Sequence, residues 1–154
     1  NTHCMKIPIY LYRIGHFFYK NKLRIPALFF TYLNKFLFGV WLPSSAIIGK
    51  NLTLGYWGIG TVIHNNTVLG INCLISQNVT IGRNFGDKNV PIIGNNVYIG
   101  AGSVVFGEIR IGNNVIIGAN SLINKNIQSN TIVAGNPFKI LKTQTTKKYF
   151  ELDD

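Results

Sequence analysis

The hydrophobic positions of the chain follow two rhythms, and the change comes near Pro43. From Leu42 onward, large aliphatic residues recur at intervals of six, and glycine often follows them directly. These positions are Leu42, Ile48, Leu54, Ile63, Leu69, Ile75, Ile81, Ile93, Ile99, Val105, Ile111, Ile117 and Ile123. Neither a helix nor an ordinary strand has this period, and a short fixed repeat is typical of a solenoid. The pattern predicts a mainly β fold, a parallel β-helix whose six-residue unit is one short strand and one corner.

Smaller residues take a second inward position, four residues after an aliphatic one. They are Thr67, Cys73, Val79, Val97, Ser103, Val115 and Ser121. The rhythm is broken twice, once by three extra residues after Leu54 and once where Asp87 replaces the expected aliphatic residue. Because insertions in a solenoid generally mark its functional face, we expect residues 83–89 to form an extruded loop there.

Residues 5–41 carry a helical pattern instead and hold many aromatic residues. Pro8 and Pro26 lie where helices commonly begin, and a basic turn from Lys20 to Arg24 separates the two helices. The pattern predicts two short amphipathic helices that cap the first coil, with apolar faces formed by Leu11, Ile14 and Phe18 and by Phe29, Tyr32, Leu33 and Phe36. We expect these helices to pack on the rest of the protein or on a neighbouring subunit, or to attach to an anionic membrane face, and the two roles are compatible. Aromatic residues among Lys and Arg suit the membrane role.

The chain is therefore expected to divide into a helical segment over residues 5–41, the β-helix over 42–135 and a tail over 136–154. Only 13% of the residues are charged, which indicates that partner subunits cover much of the surface. The formal net charge of +10 suits nucleic acid, anionic membranes or phosphorylated ligands. No nucleic-acid-binding motif accompanies this charge, so we expect no nucleic-acid partner.

His64 is the only histidine within the repeat, and it takes a corner position usually held by glycine. An outward imidazole beside an insertion suits a general base that removes a hydroxyl proton. The alternative is a surface histidine with no catalytic role, and the residues alone leave both open. His16 is expected to pack or hydrogen bond within the first helix, and Cys73 to be an inert core thiol. A zinc site at a subunit boundary needs several histidines, so no metal is expected.

Four motifs make the chain resemble the hexapeptide-repeat acyltransferases, in the serine acetyltransferase-like branch that includes polysaccharide O-acetyltransferases. They are Val62-Ile63-His64, Gln77-Asn78-Val79-Thr80-Ile81-Gly82, Ile99-Gly100-Ala101-Gly102-Ser103 and Ala134-Gly135-Asn136-Pro137. The resemblance covers residues 43–141 and implies a left-handed parallel β-helix, a homotrimer, and direct transfer from acetyl-CoA without a metal. The chain departs from the serine enzymes at their Asp-His catalytic pair, where it has Trp41 and Tyr56. Their second histidine falls near Asn89 here.

The same resemblance implies roles for individual residues. His64 resembles the histidine of the polysaccharide-modifying relatives and is the expected general base. Because acetyl-CoA lies between subunits along the later coils in the family, we expect it to contact Ala101 and Ala119, with Lys125, Lys139 and Lys142 as candidates for the CoA phosphates. By residue type rather than by resemblance, the candidates for acceptor binding are Tyr56, Trp57, Asn84 and Asn89, because aromatic and amide side chains suit sugars.

We therefore expect an acetyl-CoA-dependent O-acetyltransferase, either free in the cytoplasm or at the inner face of the cell membrane. Its expected acceptor is a sugar hydroxyl of a bacterial surface polysaccharide or of its precursor. The alternative enzyme is a serine O-acetyltransferase or another small-molecule acetyltransferase, and the non-enzyme alternative is a β-helix scaffold. The acceptor itself and the acyl chain length are left open by the sequence.

Overall fold

Two helices precede a series of short strands in the computed structural model, which describes residues 6–143 and 148–149. The helices are α1 (Ile7–Lys20) and α2 (Arg24–Phe38). The strands are β1 (Ile47–Ile48), β2 (Thr53–Leu54), β3 (Val62–Ile63), β4 (Val68–Leu69), β5 (Leu74–Ile75), β6 (Thr80–Gly82), β7 (Ile92–Ile93), β8 (Tyr98–Ile99), β9 (Val104–Phe106), β10 (Arg110–Ile111), β11 (Ile116–Ile117), β12 (Leu122–Ile123), β13 (Ile132–Gly135) and β14 (Phe138–Lys142). A 3₁₀ turn, Gly55–Gly58, lies between β2 and β3.

The strands form three sheets, one on each face of a three-sided solenoid. Face I has the order β1-β4-β7-β10, face II has β14-β13-β11-β8-β5-β2, and face III has β12-β9-β6-β3. All pairs are parallel except β13 with β14, which are antiparallel. The register places each inward aliphatic residue on the equivalent residue of the next coil, as Ile63, Ile81 and Val105 do on face III. The predicted parallel β-helix is therefore confirmed.

The interior of the solenoid holds the residues that the six-residue period selects. Every predicted aliphatic position from Leu42 to Ile123 is buried, and so is every predicted small position from Thr67 to Ser121. The structure also departs from the regular coil at the two points where the six-residue period is interrupted. The 3₁₀ turn accounts for the extra residues after Leu54, and residues 83–91 form an irregular connection from β6 to β7. One side chain per strand thus points inward, and burial of these aliphatic side chains stabilises the solenoid.

A ladder of asparagines stabilises the corner between faces I and II. Its members are Asn51, Asn72, Asn96, Asn114 and Asn130, all with φ between 54° and 60°. Each side-chain amide donates to the Oδ1 of the next asparagine at 2.8 to 3.1 Å. Asparagine tolerates this left-handed backbone, and its amide both donates and accepts, so the same residue is repeated from coil to coil.

The two helices cover the first coil, as predicted, but they use polar contacts to do so. The Tyr12 hydroxyl donates to the Ala46 carbonyl at 2.6 Å. The Arg13 guanidinium donates to the carbonyls of Ile48, at 2.6 Å, and of Gly49. These bonds satisfy carbonyl groups at the open end of the solenoid, which would otherwise be an exposed sheet edge.

The helix faces that pack most closely differ from the predicted apolar faces. Of the predicted residues, Ile14, Phe29, Tyr32 and Phe36 are exposed, whereas Leu11, Phe18 and Leu33 are partly buried. Helix α1 buries Pro8, Tyr12 and Gly15, and α2 buries Ala27, Thr31 and Asn34. The Asn34 amide donates to the Pro8 carbonyl at 2.9 Å, and the hydroxyls of Thr31 and Ser44 lie 2.9 Å apart. Small residues permit the helices to approach closely, and buried hydroxyl and amide groups form hydrogen bonds with each other and with backbone carbonyls. Phe29, Tyr32 and Phe36 of the predicted face of α2 consequently point outward, while Phe18 of α1 stacks on Phe30 with ring centroids 5.9 Å apart.

The other end of the solenoid is covered by β14, which folds back on β13. Further along the tail, the Tyr149 hydroxyl donates to the Asn72 carbonyl at 3.1 Å, and its ring lies 6.0 Å from that of Tyr98. Tyr149 therefore lies beside face II, next to Tyr98 of β8. Neither α1 nor α2, nor any other helix in the described part of the chain, is both long and apolar enough to cross a membrane.

Burial of Tyr12 makes the stability of this cap depend on pH. Burial raises the pKa of Tyr12 from 10.0 to about 12, although the neighbouring Arg13 and a backbone hydrogen bond act the other way. The folded state therefore keeps its phenol proton more tightly than the unfolded state, so this contribution is full below pH 10 and is lost as the pH rises to about 12. This rise in the pKa corresponds to roughly 3 kcal/mol of unfolding free energy, which is lost at high pH.

We expect Tyr12→Phe to be less stable than the wild type at neutral pH by about 1 kcal/mol, because it lacks the bond to Ala46. Above pH 10 the difference in unfolding free energy should shrink and then reverse, since only the wild type must ionise this phenol on unfolding. Urea unfolding from pH 8 to 12 measures both curves. Parallel curves would contradict the pKa shift.

Candidate active site

His64 lies at the corner between faces III and I, directly after β3. Its backbone N–H donates to the Ile81 carbonyl at 2.9 Å, and its carbonyl accepts from the Thr67 N–H at 3.0 Å. The ring is half-buried, and its Nδ1 accepts the Asn66 backbone N–H at 3.2 Å. With Nδ1 as an acceptor, the neutral imidazole carries its hydrogen on Nε2.

The space beside the His64 ring is open because the next coil has a glycine at the same position. The strand register pairs Ile63 with Ile81, which places Gly82 over His64. A Cβ atom added to Gly82 would meet only the Thr80 methyl group, at 4.0 Å. A molecule can therefore approach the imidazole along this corner.

A groove of about 400 Å³ runs along face I next to the same corner. It is lined by Asn66, Val68, Asn89, Val90, Ile92, Glu108, Ile109, Arg110 and Asn126, which come from four successive coils. Within it, the Asn89 amide donates to Glu108 Oε1 at 2.7 Å. Asn66 belongs to the groove and to the His64 contact, so it connects the two. The groove offers amides, one carboxylate and one guanidinium to a ligand.

Asp87 and Glu108 are the carboxylates of the repeat that lie nearest to His64 in sequence, and neither orients its ring. Among the described residues, neither Asp87 nor Glu108 hydrogen bonds to His64, and Glu108 is bound by Asn89 instead. Sequence reasoning missed the Asn66 N–H as the group that holds the imidazole. A backbone N–H two residues after a histidine at a tight corner lies within reach of the Nδ1 of that histidine, and this spacing could have indicated the contact.

The predicted site residues fall on two corners of the chain. Asn84, Asn89 and Lys125 share the corner of His64, between faces III and I. The other corner, between faces II and III, carries Tyr56, Trp57, Ala101 and Ala119. Lys139 and Lys142 lie on β14, at the end of the solenoid, and both are exposed. Within one chain, the structure therefore does not bring Tyr56 and Trp57 to His64.

Tyr56 and Trp57 have a backbone that their side chains disfavour. Their φ values are 47° and 61°, in the left-handed region that L-residues rarely adopt. The Trp57 ring packs edge-on against Phe38, with centroids 5.3 Å apart, whereas the Tyr56 side chain is 71% exposed. Such conformations cost free energy and are concentrated at functional sites. Two consecutive strained aromatic residues mark this corner as a candidate binding surface.

We expect Tyr56→Gly to raise the free energy of unfolding by about 1 kcal/mol, because glycine adopts this φ without strain. If the exposed ring binds the acceptor, the same variant should raise the KM for that acceptor. Tyr56→Ala is the matched control, since it removes the ring and keeps the strain. Equal stability of the Gly and Ala variants would show that the turn is unstrained.

His16 and Cys73 have the surroundings that the sequence predicted. His16 Nδ1 lies 2.8 Å from the Ser44 carbonyl, and its ring stacks on Tyr12 with centroids 5.5 Å apart. Cys73 is buried, and burial raises the pKa of its thiol. Both are structural residues. Across residues 6–143 and 148–149, no three His, Cys, Asp or Glu side chains are placed to hold a metal ion together.

The comparisons with known proteins agree with this geometry. The profile of the family described as bacterial transferase hexapeptide (six repeats) matches residues 91–125, which include β7 to β12. The chain belongs to the hexapeptide-repeat transferases. This confirms the family that the four motifs indicated.

Serine acetyltransferases are prominent among the related members of this transferase family. That of Staphylococcus epidermidis is 38% identical over 138 residues, which are 88% of this chain and 64% of that protein. The crystal structure from Brucella abortus superposes with a TM-score of 0.85 at 28% identity, covering 91% of this chain and 57% of that one. A serine acetyltransferase complex with CoA has a TM-score of 0.79 at 28% identity, covering 87% and 55%. The chain thus spans less than two thirds of these relatives.

Proposed function

We propose that the chain is an acetyl-CoA-dependent O-acetyltransferase. The observation that carries this proposal is the likeness to serine acetyltransferases along most of the chain, in sequence and in fold. The CoA complex of a structural neighbour supports acetyl-CoA as the donor. The open space beside His64 and the adjoining polar groove supply a place for an acceptor hydroxyl.

In the proposed reaction, His64 takes the proton of the acceptor hydroxyl. The oxygen attacks the thioester carbonyl carbon, the new C–O bond forms and the C–S bond breaks. The imidazolium returns the proton to the CoA sulfur, and backbone N–H groups stabilise the oxyanion. For Nε2 to accept a proton, the imidazole hydrogen must first sit on Nδ1. The Asn66 N–H must then release Nδ1 when the acceptor binds.

An amino acid with a hydroxyl side chain, such as serine, is the acceptor that the relatives favour. The groove supports this proposal because Glu108 and Arg110 both line it. A carboxylate can bind the ammonium group of an amino acid, and a guanidinium can bind its carboxylate in a bidentate manner. The acceptor would then lie along face I with its hydroxyl directed to the corner of His64.

A sugar hydroxyl is the second candidate for the acceptor, and the types of residue at the site favour it. The catalytic pair of the serine enzymes has no equivalent here, since Trp41 and Tyr56 occupy its positions. The groove carries three asparagines, Asn66, Asn89 and Asn126, whose amides can donate to and accept from sugar hydroxyls. Tyr56 and Trp57 add aromatic surface that suits a sugar ring. A bacterial surface polysaccharide or its precursor is the corresponding acceptor.

A homotrimer would complete the site. In a cyclic trimer, the contact joins two different surfaces of the chain, so one subunit's corner with Tyr56 can face its neighbour's corner with His64. Acetyl-CoA would lie along that boundary, against Ala101 and Ala119. Lys125, Lys139 and Lys142 are the proposed partners of its phosphates.

The two acceptors are distinguished by acceptor-dependent release of free CoA thiol from acetyl-CoA. L-serine and a panel of mono- and oligosaccharides are compared, with mass spectrometry of the products. If serine is the acceptor, Arg110→Gln should raise the KM for serine roughly tenfold or more, because a charged hydrogen bond to its carboxylate is lost. Lys50→Gln, an exposed cation on another corner, is the matched control. Thiol release that no hydroxyl acceptor stimulates would reject the proposed function.

A further inference from the structure

The helical segment presents its apolar side to solvent. On α2, Ile25, Phe29, Tyr32 and Phe36 follow one another at i, i+4, i+7 and i+11, which places them on one face. Their side chains are 56% to 88% exposed. The face that α2 buries, with Ala27, Thr31 and Asn34, lies on the other side of the helix. Monomeric proteins rarely leave such a contiguous apolar stripe uncovered, so it marks an interaction surface.

Helix α1 repeats the arrangement. Ile7, Tyr10, Ile14 and Phe17 occupy positions i, i+3, i+7 and i+10 and are 42% to 63% exposed. The buried residues Pro8, Tyr12 and Gly15 again face the opposite way. We call the two exposed stripes of α1 and α2 the aromatic face.

The charges around the aromatic face are all positive. Lys6, Lys20, Lys22, Arg24 and Lys35 are exposed, and no Asp or Glu occurs from residue 6 to residue 86. Two cations of the helices have partners: the Arg13 guanidinium donates to the carbonyls of Ile48 and Gly49, and the Lys35 ammonium lies 5.5 Å from the centre of the Trp41 ring. Free cations beside apolar side chains are the composition of a helix that lies in a lipid interface.

The charge decides between the two possible occupants of this face. A second copy of the chain would bring the same cations to the contact, where like charges repel. An anionic lipid surface attracts each cation and takes up the aromatic side chains at the level of the headgroups. Both helices are too short to cross a bilayer, so they would lie along its surface.

We propose that the aromatic face docks the protein on an anionic membrane surface, with α1 and α2 in the plane of the interface. This surface lies on helices outside the groove beside His64, so the proposal does not depend on the proposed acetyl transfer. It places the enzyme where lipid-attached acceptors and membrane-bound partners are accessible.

The test measures flotation of the full chain with two kinds of vesicles. One contains equal parts of phosphatidylglycerol and phosphatidylcholine, and the other contains phosphatidylcholine alone. We expect binding to the anionic vesicles that weakens as salt is added, because the charges are screened. The double variant Ile25→Gln with Phe36→Gln should bind at least about tenfold more weakly, since it removes two exposed apolar anchors.

The control is Phe85→Gln, which removes a still more exposed aromatic ring from the loop after β6 and should bind like the wild type. The triple variant Lys20→Gln, Lys22→Gln, Arg24→Gln should lose its preference for anionic vesicles. Thermal unfolding verifies that each variant is folded. If Ile25→Gln with Phe36→Gln changes the oligomeric mass by sedimentation and not vesicle binding, the aromatic face is a protein contact and the proposal is overturned.

Discussion

Replacing His64 by alanine is expected to lower the rate of acetyl transfer by about 10² to 10⁴, the usual contribution of a general base. The loss should fall on kcat, because His64 handles the proton in the transition state and is not among the residues proposed to hold acetyl-CoA. Steady-state kinetics of thiol release with the preferred acceptor measures both parameters.

The matched control is His16→Asn. Its amide keeps a donor near the Ser44 carbonyl, which His16 Nδ1 approaches at 2.8 Å in the wild type. We expect this variant to lose some stability and to keep its kcat. A fall in kcat of less than threefold for His64→Ala would exclude His64 as the base and leave its corner only as a binding surface.

The β-helix could be predicted from sequence because its interactions are local and repetitive. Each inward residue stacks on an equivalent residue one coil away, so the environment of Ile81 is the environment of Ile63 and of Val105. A period in the sequence is therefore a period in the structure. Even the interruptions could be located, since the loop at Asp87 was found from its break in the rhythm.

The packing of the helices could not be predicted in the same way. Apolar periodicity selected Phe29 and Phe36 as a common face, and the structure leaves both exposed. What holds α2 in place is hydrogen bonding by Thr31 and Asn34 to groups far away in sequence. Hydrophobic patterning assumes that the apolar face is the buried one, and it contains no signal for a polar, close-packed contact.

Only part of the candidate site could be predicted from the sequence, because its residues come from separate coils. His64 could be singled out because it breaks the glycine pattern of its own repeat. Its neighbours Asn66, Asn89 and Glu108 come from three different coils, and the irregular loop at residues 83–91 changes their spacing in sequence. Tyr56 and Trp57 were grouped with them on residue type alone, although a single chain holds them on a different corner.

The adjacent residues Ile92 and Ile93 allow a direct test of what holds the solenoid together. They share strand β7, where Ile93 is 2% exposed and Ile92 is 37% exposed. The inward Ile93 stacks between Leu69 and Ile111, which are also buried. We expect Ile93→Ala to lower the free energy of unfolding by about 2 to 5 kcal/mol, because it removes buried methyl groups and leaves a cavity.

Ile92→Ala removes the same atoms from the same strand, yet we expect a loss of less than about 1 kcal/mol, because a partly exposed side chain gives up less buried area. Urea unfolding followed by circular dichroism compares both variants with the wild type. Since each coil is stabilised only by its neighbours, the loss at Ile93 should reduce the cooperativity of the whole transition and not only its midpoint. Equal losses at the two positions would mean that the side chain of Ile92 is as buried as that of Ile93 in the assembled protein. Face I would then be a subunit contact, and the groove lined by Ile92 would lie between subunits.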